Sequence, residues 1–324
     1  YGYASGIQFT EVDDNNNNNY GDLRFYLQDF YEWQDFDVSQ YHPDEVGGFA
    51  YLPWGDWSNN EWTLAGDIFL RSDYELFDGY MESVTAHEIG HALGLAHPFS
   101  GYNIIGNIND SLDNIHSVMT YDHSPSLLGV NPMPVDMLAM EFIYGGSGNA
   151  NLDDTTFQLD PRLMQAQNYG GYANARMSIV DDFGVDIINA KSINNGIFLN
   201  LAPGSWSNLS GTLPYLLTNG EDTEGEQLAS SFEVDLTIEI ASEADLLNYG
   251  QVYIESETYI ENCDLTDYAD IVFDNSADNI IRCEGGDDLV SISHGNDSIY
   301  GGVGYDQVSI FGSADDYAIE IQGA

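Results

Sequence analysis

The chain has 324 residues, enough for two domains that each bury a core. Its composition is globular, with 43% hydrophobic and 13% aromatic residues, but 54 acidic residues outnumber 6 basic ones and give a formal net charge of -48. This charge excludes nucleic acid and anionic membranes as partners, and no apolar run is long enough to span a bilayer. Two explanations of the acidity stay open, adaptation to saline water and neutralisation of carboxylates by calcium.

Four short strands are predicted in the first seventy residues. Runs rich in apolar, β-branched and aromatic residues lie between segments rich in Gly, Pro, Asn and Asp, which is the pattern of strands joined by turns. These runs cover residues 7–12, 22–26, 48–53 and 66–70. The polar stretch 13–19, which ends in a run of asparagines, is typical of a solvated loop.

The most specific motif is His-Glu-Ile-Gly-His-Ala-Leu-Gly-Leu-Ala-His at residues 87–97, which begins within a helix predicted over residues 80–93. His87 and His91 are four residues apart, so both imidazoles project from one face of that helix and can bind a single ion. Glu88 flanks the same site, where a carboxylate can accept a proton from metal-bound water. The pattern favours a metal-dependent hydrolytic site over an amphipathic helix with incidental histidines.

The turn after this helix supplies a third metal ligand. Gly94 can adopt a left-handed conformation, which lets the chain reverse and bring His97 back towards the first two histidines. Three protein ligands with an open fourth position are typical of catalytic zinc, whereas structural zinc sites are closed by four protein ligands. We therefore expect zinc at His87, His91 and His97.

A second helix is predicted over residues 132–144, and Gly145 follows as its stop signal. Four apolar residues recur there at helical spacing: Val135, Leu138, Ala139 and Phe142. From about residue 147 the helical periodicity disappears, and short β-type runs alternate with Asn, Asp and Gly. These runs include residues 178–182, 197–201 and 204–207. The rest of the chain is therefore predicted to be all β.

The last sixty residues contain a nine-residue repeat. One column is acidic or amide: Asp270, Asn279, Asp288, Asp297, Asp306 and Asp315. A second column lies two positions later and is apolar or aromatic: Val272, Ile281, Val290, Ile299, Val308 and Tyr317. Residues 301–309 match in full the glycine-rich nonapeptide of calcium-binding parallel β-rolls. Because two repeats make one turn of such a roll, Asp288 should stack on Asp306 while Asp297 lies on the opposite side.

Calcium is the expected ligand of this repeat region, which spans about residues 262–318. Glycines permit tight turns whose carbonyl groups point inward, and each Asp adds a hard oxygen of the kind calcium prefers. The expected calcium-binding residues are Gly285, Gly286, Asp288, Gly295, Asp297, Gly302, Gly304 and Asp306. The alternative is a Gly- and Asp-rich surface that binds no ion, which the nine-residue register disfavours.

The two cysteines, Cys263 and Cys283, are not in a CxxC arrangement and have no histidine cluster beside them, so they are not expected to bind metal. In an extracellular protein they can pair, closing a loop of about 20 residues. The free and the paired state both stay open, because geometry decides whether a disulfide forms.

Residues 87–98, including Pro98 after the third histidine, resemble the serralysin branch of the metzincin zinc metalloproteases. A second element of the resemblance is Ser-Val-Met-Thr-Tyr at residues 117–121, which is similar to the methionine turn of that family. The resemblance implies that Met119 forms an apolar floor beneath the imidazoles. It also implies that Tyr121 is a further zinc ligand, which leaves the metal when substrate binds and hydrogen-bonds the oxyanion.

The resemblance also implies the fold. The expected fold class is an α+β metzincin catalytic domain over residues 1–146, followed by an all-β C-terminal domain over residues 147–324 of the β-sandwich and parallel β-roll type. The chain is then expected to start inside the catalytic domain, with the N-terminal helix absent, and to hold an insertion within residues 212–258. Extracellular localisation, reached by a one-step, type I-like bacterial export route, is implied by the same family.

The predicted function is that of a secreted, monomeric zinc endopeptidase with Glu88 and Tyr121 as catalytic residues, Zn²⁺ and Ca²⁺ as cofactors, and proteins or peptides as substrates. The alternative is a calcium-stabilised binding or adhesion protein with a degenerate metzincin domain, since fold alone does not decide function. The intact Glu88 and Tyr121 argue against that alternative, because a binding module needs neither residue.

Overall fold

A computed structural model of the chain describes residues 7–12, 22–32, 46–53, 64–73, 79–98, 116–121, 127–145, 153–159, 161, 174–181, 183–209, 251–310 and 317–321. Up to residue 145, the described segments hold β1 (Arg24–Gln28), β2 (Gly48–Ala50), β3 (Asp67–Arg71), α1 (Gly79–Ala92), β4 (Leu127–Gly129) and α2 (Pro134–Tyr144). The later strands are β5 (Thr156–Gln158), β6 (Asn174–Ile179), β7 (Ile187–Asn189), β8 (Phe198–Asn200), β9 (Trp206–Ser207), β10 (Val252–Ile254), β11 (Asn262–Asp264), β12 (Ile271–Phe273), β13 (Ile280–Arg282), β14 (Leu289–Ile292), β15 (Ser298–Tyr300) and β16 (Gln307–Ile310).

A three-stranded sheet supports α1. Its order is β1-β3-β2, with β1 parallel and β2 antiparallel to the buried central strand β3. On one face of β3, Ile68 packs with Met81 of α1. On the other face, the Phe69 ring stacks between Tyr26 and Phe49, with centroid distances of 4.8 and 4.9 Å. Because side chains alternate between the two faces of β3, one face provides an apolar surface on which α1 packs. The strand β2 lies at one edge of the sheet.

Three of the four predicted N-terminal strands form, as β1, β2 and β3, with somewhat different bounds. The strand predicted at residues 7–12 is wrong: this segment pairs with no strand in the described part of the chain, and residues 8–12 are exposed. Its apolar pattern suits a strand, but a strand without a neighbour leaves its backbone groups without ladder partners. The predicted helices 80–93 and 132–144 form as α1 and α2.

The apolar residues that mark α2 in the sequence do not all face the core. Leu138 and Phe142 are 59% and 69% exposed, whereas the helix buries Asp136, Met137 and Met140. Apolar spacing alone does not locate this face, because it contains a carboxylate, which is stable there only with hydrogen-bond donors around it.

A four-stranded sheet connects the two halves of the sequence. Its order is β4-β6-β10-β9, with β4 parallel to β6, β6 parallel to β10, and β10 antiparallel to β9. In β6, Arg176 is fully buried, and its guanidinium carbon lies 5.2 Å from the centre of the Trp206 ring. Because β4 precedes α2 while its partner β6 follows residue 147, strand pairing crosses the predicted boundary, and the division there remains a prediction.

Two parallel sheets form the C-terminal roll. Their orders are β15-β13-β11-β7-β5 and β16-β14-β12-β8. From β11 onward, successive strands start nine residues apart and alternate between the two sheets, so neighbours within a sheet are 18 residues apart in register, as for Ile281 and Ile299. Two nonapeptides therefore make one turn, as the spacing predicts. Residues 210–250, which include most of the predicted insertion, lie outside the described part of the chain.

The predicted apolar column is buried only in its first part. Val272, Ile281 and Val290 are at most 1% exposed, whereas Ile299 is partly buried and Val308 is 48% exposed. The column becomes exposed because β15 and β16 are the outermost strands of their sheets, with no further turn stacked on them in the described residues.

Both cysteines are free and buried in the core of the roll. Cys263 is opposite Ile281, so Cys283 lies two residues farther along the neighbouring strand. Strand spacing and rise then separate the two Cα atoms by about 8 Å, beyond the roughly 7 Å that a disulfide can bridge. Within the described residues, neither helix has the length and hydropathy needed to cross a bilayer.

Candidate active site

Three imidazoles converge at the C-terminal end of α1. The Nε2 atom of His97 lies 3.1 Å from Nε2 of His87 and 3.0 Å from Nε2 of His91. Across the described part of the chain, these three residues form the one group of at least three His, Cys, Asp or Glu side chains whose ligand atoms all lie within 4.8 Å of one another.

The turn that brings His97 back is a Schellman motif. The Leu95 N–H donates to the Gly90 carbonyl oxygen and the Gly94 N–H donates to that of His91, both at 2.9 Å. Gly94 has a φ of 102°, in the region that favours glycine. The reversal that the sequence predicts at Gly94 is therefore observed.

Backbone carbonyls orient the two imidazoles on α1. The Nδ1 atom of His87 lies 2.8 Å from the Val118 carbonyl oxygen, and that of His91 lies 2.8 Å from the Leu95 carbonyl oxygen. A carbonyl oxygen can only accept, so each Nδ1 carries the proton and each Nε2 presents a lone pair to the shared centre. This is the arrangement of metal-binding histidines whose second nitrogen is hydrogen-bonded.

The donor set fits zinc. Tetrahedral ligands about 2.05 Å from zinc are roughly 3.3 Å apart, close to the separations of the Nε2 atoms here. The Nε2 lone pairs of His87 and His91 both face this centre, where a single cation would be bound by both. Burial, and then the charge of His91, lower the pKa of His97 to about 4, and burial lowers the pKa of His91. Both imidazoles are therefore neutral near pH 7, as metal ligands must be.

Met119 and Tyr121 lie on the segment that follows His116. Met119 is 1% exposed and packs in one apolar cluster with Leu93 and Leu95, below the turn that leads to His97. The Tyr121 ring centre lies 4.6 Å from that of His97 and 5.5 Å from that of His87, and the residue is 61% exposed. Tyr121 thus stands beside the imidazoles and within reach of solvent.

Glu88 is buried next to His87. Its Oε2 atom has no hydrogen-bond partner among the described residues. Burial raises the pKa of Glu88 to about 8. A carboxylate at this buried position requires a proton or a positive counter-charge, which a cation bound by the three imidazoles would supply.

The predicted calcium-binding residues lie in the turns between strands of the roll. Four of the glycines have positive φ: Gly286 (119°), Gly295 (117°), Gly302 (87°) and Gly304 (147°). The Asp288 N–H donates to Oδ1 of Asp306 at 3.3 Å, and the Asn279 N–H donates to Oδ1 of Asp297 at 3.0 Å. Asp288 and Asp306 therefore stack on one side of the roll and Asp297 lies on the other, in agreement with the repeat.

Asp288 is the most buried of these acids, at 2% exposed. Its Oδ2 atom has no hydrogen-bond partner within the described part of the chain. Burial, and then the charges of Asp270 and Asp306, raise the pKa of Asp288 to about 7. A carboxylate at this position requires a proton or a positive counter-charge.

No protein-family model matches the chain, but curated proteins do. It is 26% identical over 187 residues to Serralysin of Photorhabdus laumondii, a match that covers 50% of this chain and 38% of the relative. It is 26% identical over 212 residues to Metallopeptidase AprA of Pseudomonas marginalis, covering 58% and 43% of the two chains. The chain is serralysin-like. It spans about two fifths of the length of these relatives.

Asp136 of this serralysin-like chain belongs to the site but is not marked by any motif in the sequence. Its carboxylate accepts hydrogen bonds from the Ser117 hydroxyl at 2.6 Å, the Val118 N–H at 2.7 Å and the Met133 N–H at 2.9 Å. Burial raises the pKa of Asp136 to about 6 against the effect of these three donors. The available signal was an Asp in the first turn of a predicted helix, where a side chain can cap free N–H groups.

A second group of acids in the serralysin-like chain lies outside the repeat. The Asp186 Oδ1 atom accepts from the Thr155 N–H, and Glu261 Oε2 accepts from the Asp186 N–H, both at 2.8 Å. Burial, and then the charges of Asp181, Glu261 and Asp154, raise the pKa of Asp186 to about 6. These acids are up to 107 positions apart, from Asp154 to Glu261, so no local spacing in the sequence marks them as neighbours.

Proposed function

We propose that this chain is a zinc endopeptidase that hydrolyses peptide bonds in proteins. The observation that carries the proposal is the convergence of three imidazole Nε2 atoms, two with their tautomer set by a backbone carbonyl, beside the buried carboxyl of Glu88. The similarity to proteins named Serralysin and Metallopeptidase AprA supports the same conclusion.

His87, His91 and His97 would hold the zinc ion, with Tyr121 as a further ligand. Bound zinc would supply Lewis acidity at this centre. Glu88 takes a proton from the water that attacks the scissile carbonyl carbon, and returns it to the amine nitrogen as the C–N bond breaks. The Tyr121 hydroxyl donates a hydrogen bond to the carbonyl oxygen as that oxygen becomes negative. The products are a carboxylic acid and an amine.

The edge strand β2 offers a surface for an extended substrate. β2 lies at one end of the order β1-β3-β2, and it contacts α1, which carries Glu88. An extended peptide can pair with such an edge through main-chain hydrogen bonds, which bind many sequences alike. This mode suits a protease that cleaves unfolded or loosely folded proteins.

We also propose that calcium binds the roll, in the turns that contain Asp288, Asp297 and Asp306. The buried Oδ2 atom of Asp288 and the glycines with positive φ support this proposal, because backbone carbonyls and carboxylates are the ligands calcium prefers. Extracellular calcium would then stabilise the roll after secretion. Calorimetric titration should detect binding in the wild type and fewer sites in Asp288→Asn; a wild type without calcium binding would contradict the proposal.

The experiment that tests the protease is casein hydrolysis in about 5 mM Ca²⁺, enough to fill extracellular-type calcium sites. We expect o-phenanthroline to stop hydrolysis, added zinc to restore it, and one zinc ion per chain by elemental analysis. Glu88→Gln should retain zinc and lose hydrolysis. Glu141→Gln, an exposed glutamate on α2, is the matched control and should cleave like the wild type.

Two outcomes would contradict the proposal. Stoichiometric zinc without cleavage of any protein substrate would favour the binding or adhesion protein. Hydrolysis that persists in Glu88→Gln would remove Glu88 from the mechanism.

A further inference from the structure

Helix α2 contacts both segments that carry the orienting carbonyls. At its N-terminal end, the buried carboxylate of Asp136 accepts from the Val118 N–H at 2.7 Å. At its C-terminal end, the Tyr144 hydroxyl donates to the Leu93 carbonyl oxygen at 2.6 Å. Midway along α2, the fully buried Met140 packs in one apolar cluster with Met119, Leu93 and Leu95. One helix thus holds the 116–121 segment and the turn after α1 at a set separation.

Asp136 is connected to His87 through the backbone of Val118. Val118 donates its N–H to Asp136, and its carbonyl oxygen accepts from Nδ1 of His87. The Ser117 hydroxyl also donates to Asp136 at 2.6 Å, so Asp136 holds two successive residues of this segment. The orientation of the His87 ring therefore depends on a residue that does not touch it.

Tyr144 is connected to His91 through the backbone of the Schellman turn. Tyr144 holds the carbonyl of Leu93, the residue between the end of α1 and Gly94. Two positions later, the Leu95 carbonyl accepts from Nδ1 of His91. The same turn continues to His97, so a shift at Leu93 displaces the acceptor for one imidazole and the backbone that carries another.

We propose that Asp136 and Tyr144 are positioning residues of the metal site, through which α2 sets the two backbone carbonyls that orient His87 and His91. Both act through backbone groups, and neither is a catalytic residue. The inference rests on one part of the proposed function, namely that zinc binds the three histidines.

The expected effects follow from the number of contacts removed. Partners that orient metal ligands change metal affinity by about 10- to 100-fold when removed. Asp136→Asn replaces one acceptor oxygen by an amide donor facing N–H and O–H donors, so we expect a loss of zinc affinity of about 10- to 100-fold. Tyr144→Phe removes one hydroxyl from a residue that is 42% exposed, where water can replace it in part. We expect a loss of about 3- to 10-fold there.

The test is zinc affinity, measured by competition with a chromophoric chelator, together with the d–d absorption of the Co²⁺-substituted protein. The unfolding temperature of the metal-free protein is measured alongside. Tyr259→Phe, which removes the hydroxyl of an exposed tyrosine in the C-terminal half, is the control for Tyr144→Phe. Glu141→Gln is the control for Asp136→Asn. We expect both test variants to bind zinc more weakly and to show altered Co²⁺ spectra, and both controls to match the wild type.

The outcomes separate this inference from the proposed function. A wild type that binds no zinc would contradict the proposed function. A wild type that binds zinc, with test variants that match their controls in affinity and Co²⁺ spectrum, would overturn the inference alone. A loss of affinity that only parallels a lower unfolding temperature of the metal-free protein would also overturn it. Should Asp136→Asn fail to fold, Tyr144→Phe decides, because it keeps the ring and removes a single hydrogen bond.

Discussion

Replacing Gly286 by alanine should destabilise the roll, whereas the same change at the neighbouring Gly285 should not. Gly286 has a φ of +119°, and a Cβ atom there would lie 2.3 Å from the carbonyl carbon of Tyr268 and 2.5 Å from the nitrogen of Ala269. A Cβ atom at Gly285 would lie no closer than 3.6 Å to its nearest neighbour, the Val303 oxygen. The two glycines are adjacent, so they share the same turn, the same repeat and the same proposed calcium environment.

The magnitude follows from two penalties at Gly286. A left-handed conformation costs an L-residue about 1–2 kcal/mol. The close approach to backbone atoms, which cannot rotate away, adds about 1–3 kcal/mol of overpacking. Together they predict a loss of about 2–5 kcal/mol in the free energy of unfolding. Gly285→Ala carries neither penalty and restricts the unfolded chain, so it should be neutral or stabilising by up to about 1 kcal/mol.

Urea unfolding followed by far-UV circular dichroism, in calcium-containing buffer, measures both variants against the wild type. Casein hydrolysis at 25 °C serves as a check that the zinc site is intact in each. Free energies of unfolding that agree within about 0.5 kcal/mol for the two variants would refute the reasoning, because a difference that small falls within ordinary surface effects.

Three further predictions concern other sites. Tyr121→Phe should lower kcat by about 10- to 1000-fold with KM little changed, because the proposed role of the hydroxyl is to bind the developing oxyanion. Steady-state kinetics that leave kcat unchanged would make Tyr121 structural only. Glu284 has a φ of 63° and its Oε1 atom lies 2.7 Å from Nζ of Lys191. Glu284→Ala loses the ion pair but keeps the backbone strain of a positive φ, whereas Glu284→Gly loses both. Chemical denaturation should therefore find the Gly variant more stable than the Ala variant by about 1 kcal/mol. Equal stability of the two variants would argue against backbone strain at this position. The pKa of Asp186 is raised from 3.8 to about 6, mainly by burial, so the folded state holds this proton more tightly than the unfolded state. The unfolding temperature in chelator should therefore fall as pH rises from 3.8 to about 6. Asp186→Asn should make this fall smaller. If the variant shows the same pH profile as the wild type, Asp186 is not the cause of the fall.

The convergence of the three histidines was predictable because their geometry is local. His87 and His91 share a helix face at a spacing of four, and Gly94 has the positive φ that the reversal to His97 requires. The same holds for the roll, where a nine-residue period implies alternating strands and an 18-residue turn before any contact is known. In both cases the spacing of residues along the sequence predicts which side chains lie on the same face.

The supports of the site were not predictable in this way. Asp136 reaches the Val118 N–H across 18 positions, and Tyr144 reaches the Leu93 carbonyl across 51. Apolar spacing marks α2 as a helix but does not show that Asp136 is buried while Leu138 and Phe142 are exposed. The segment 7–12 has the composition of a strand but forms no strand in the described part of the chain.

The sequence by itself determined the shared helix face of two imidazoles and the repeat, since imidazoles on one helix face and glycines in register follow from 3.6- and nine-residue periods. Only the tertiary structure decided which backbone carbonyls orient those imidazoles, which face of α2 is buried, and that Cys263 and Cys283 stay apart as free thiols. These features depend on distances between segments far apart in the chain. Such distances are set by packing and strand register, which local periodicity does not encode.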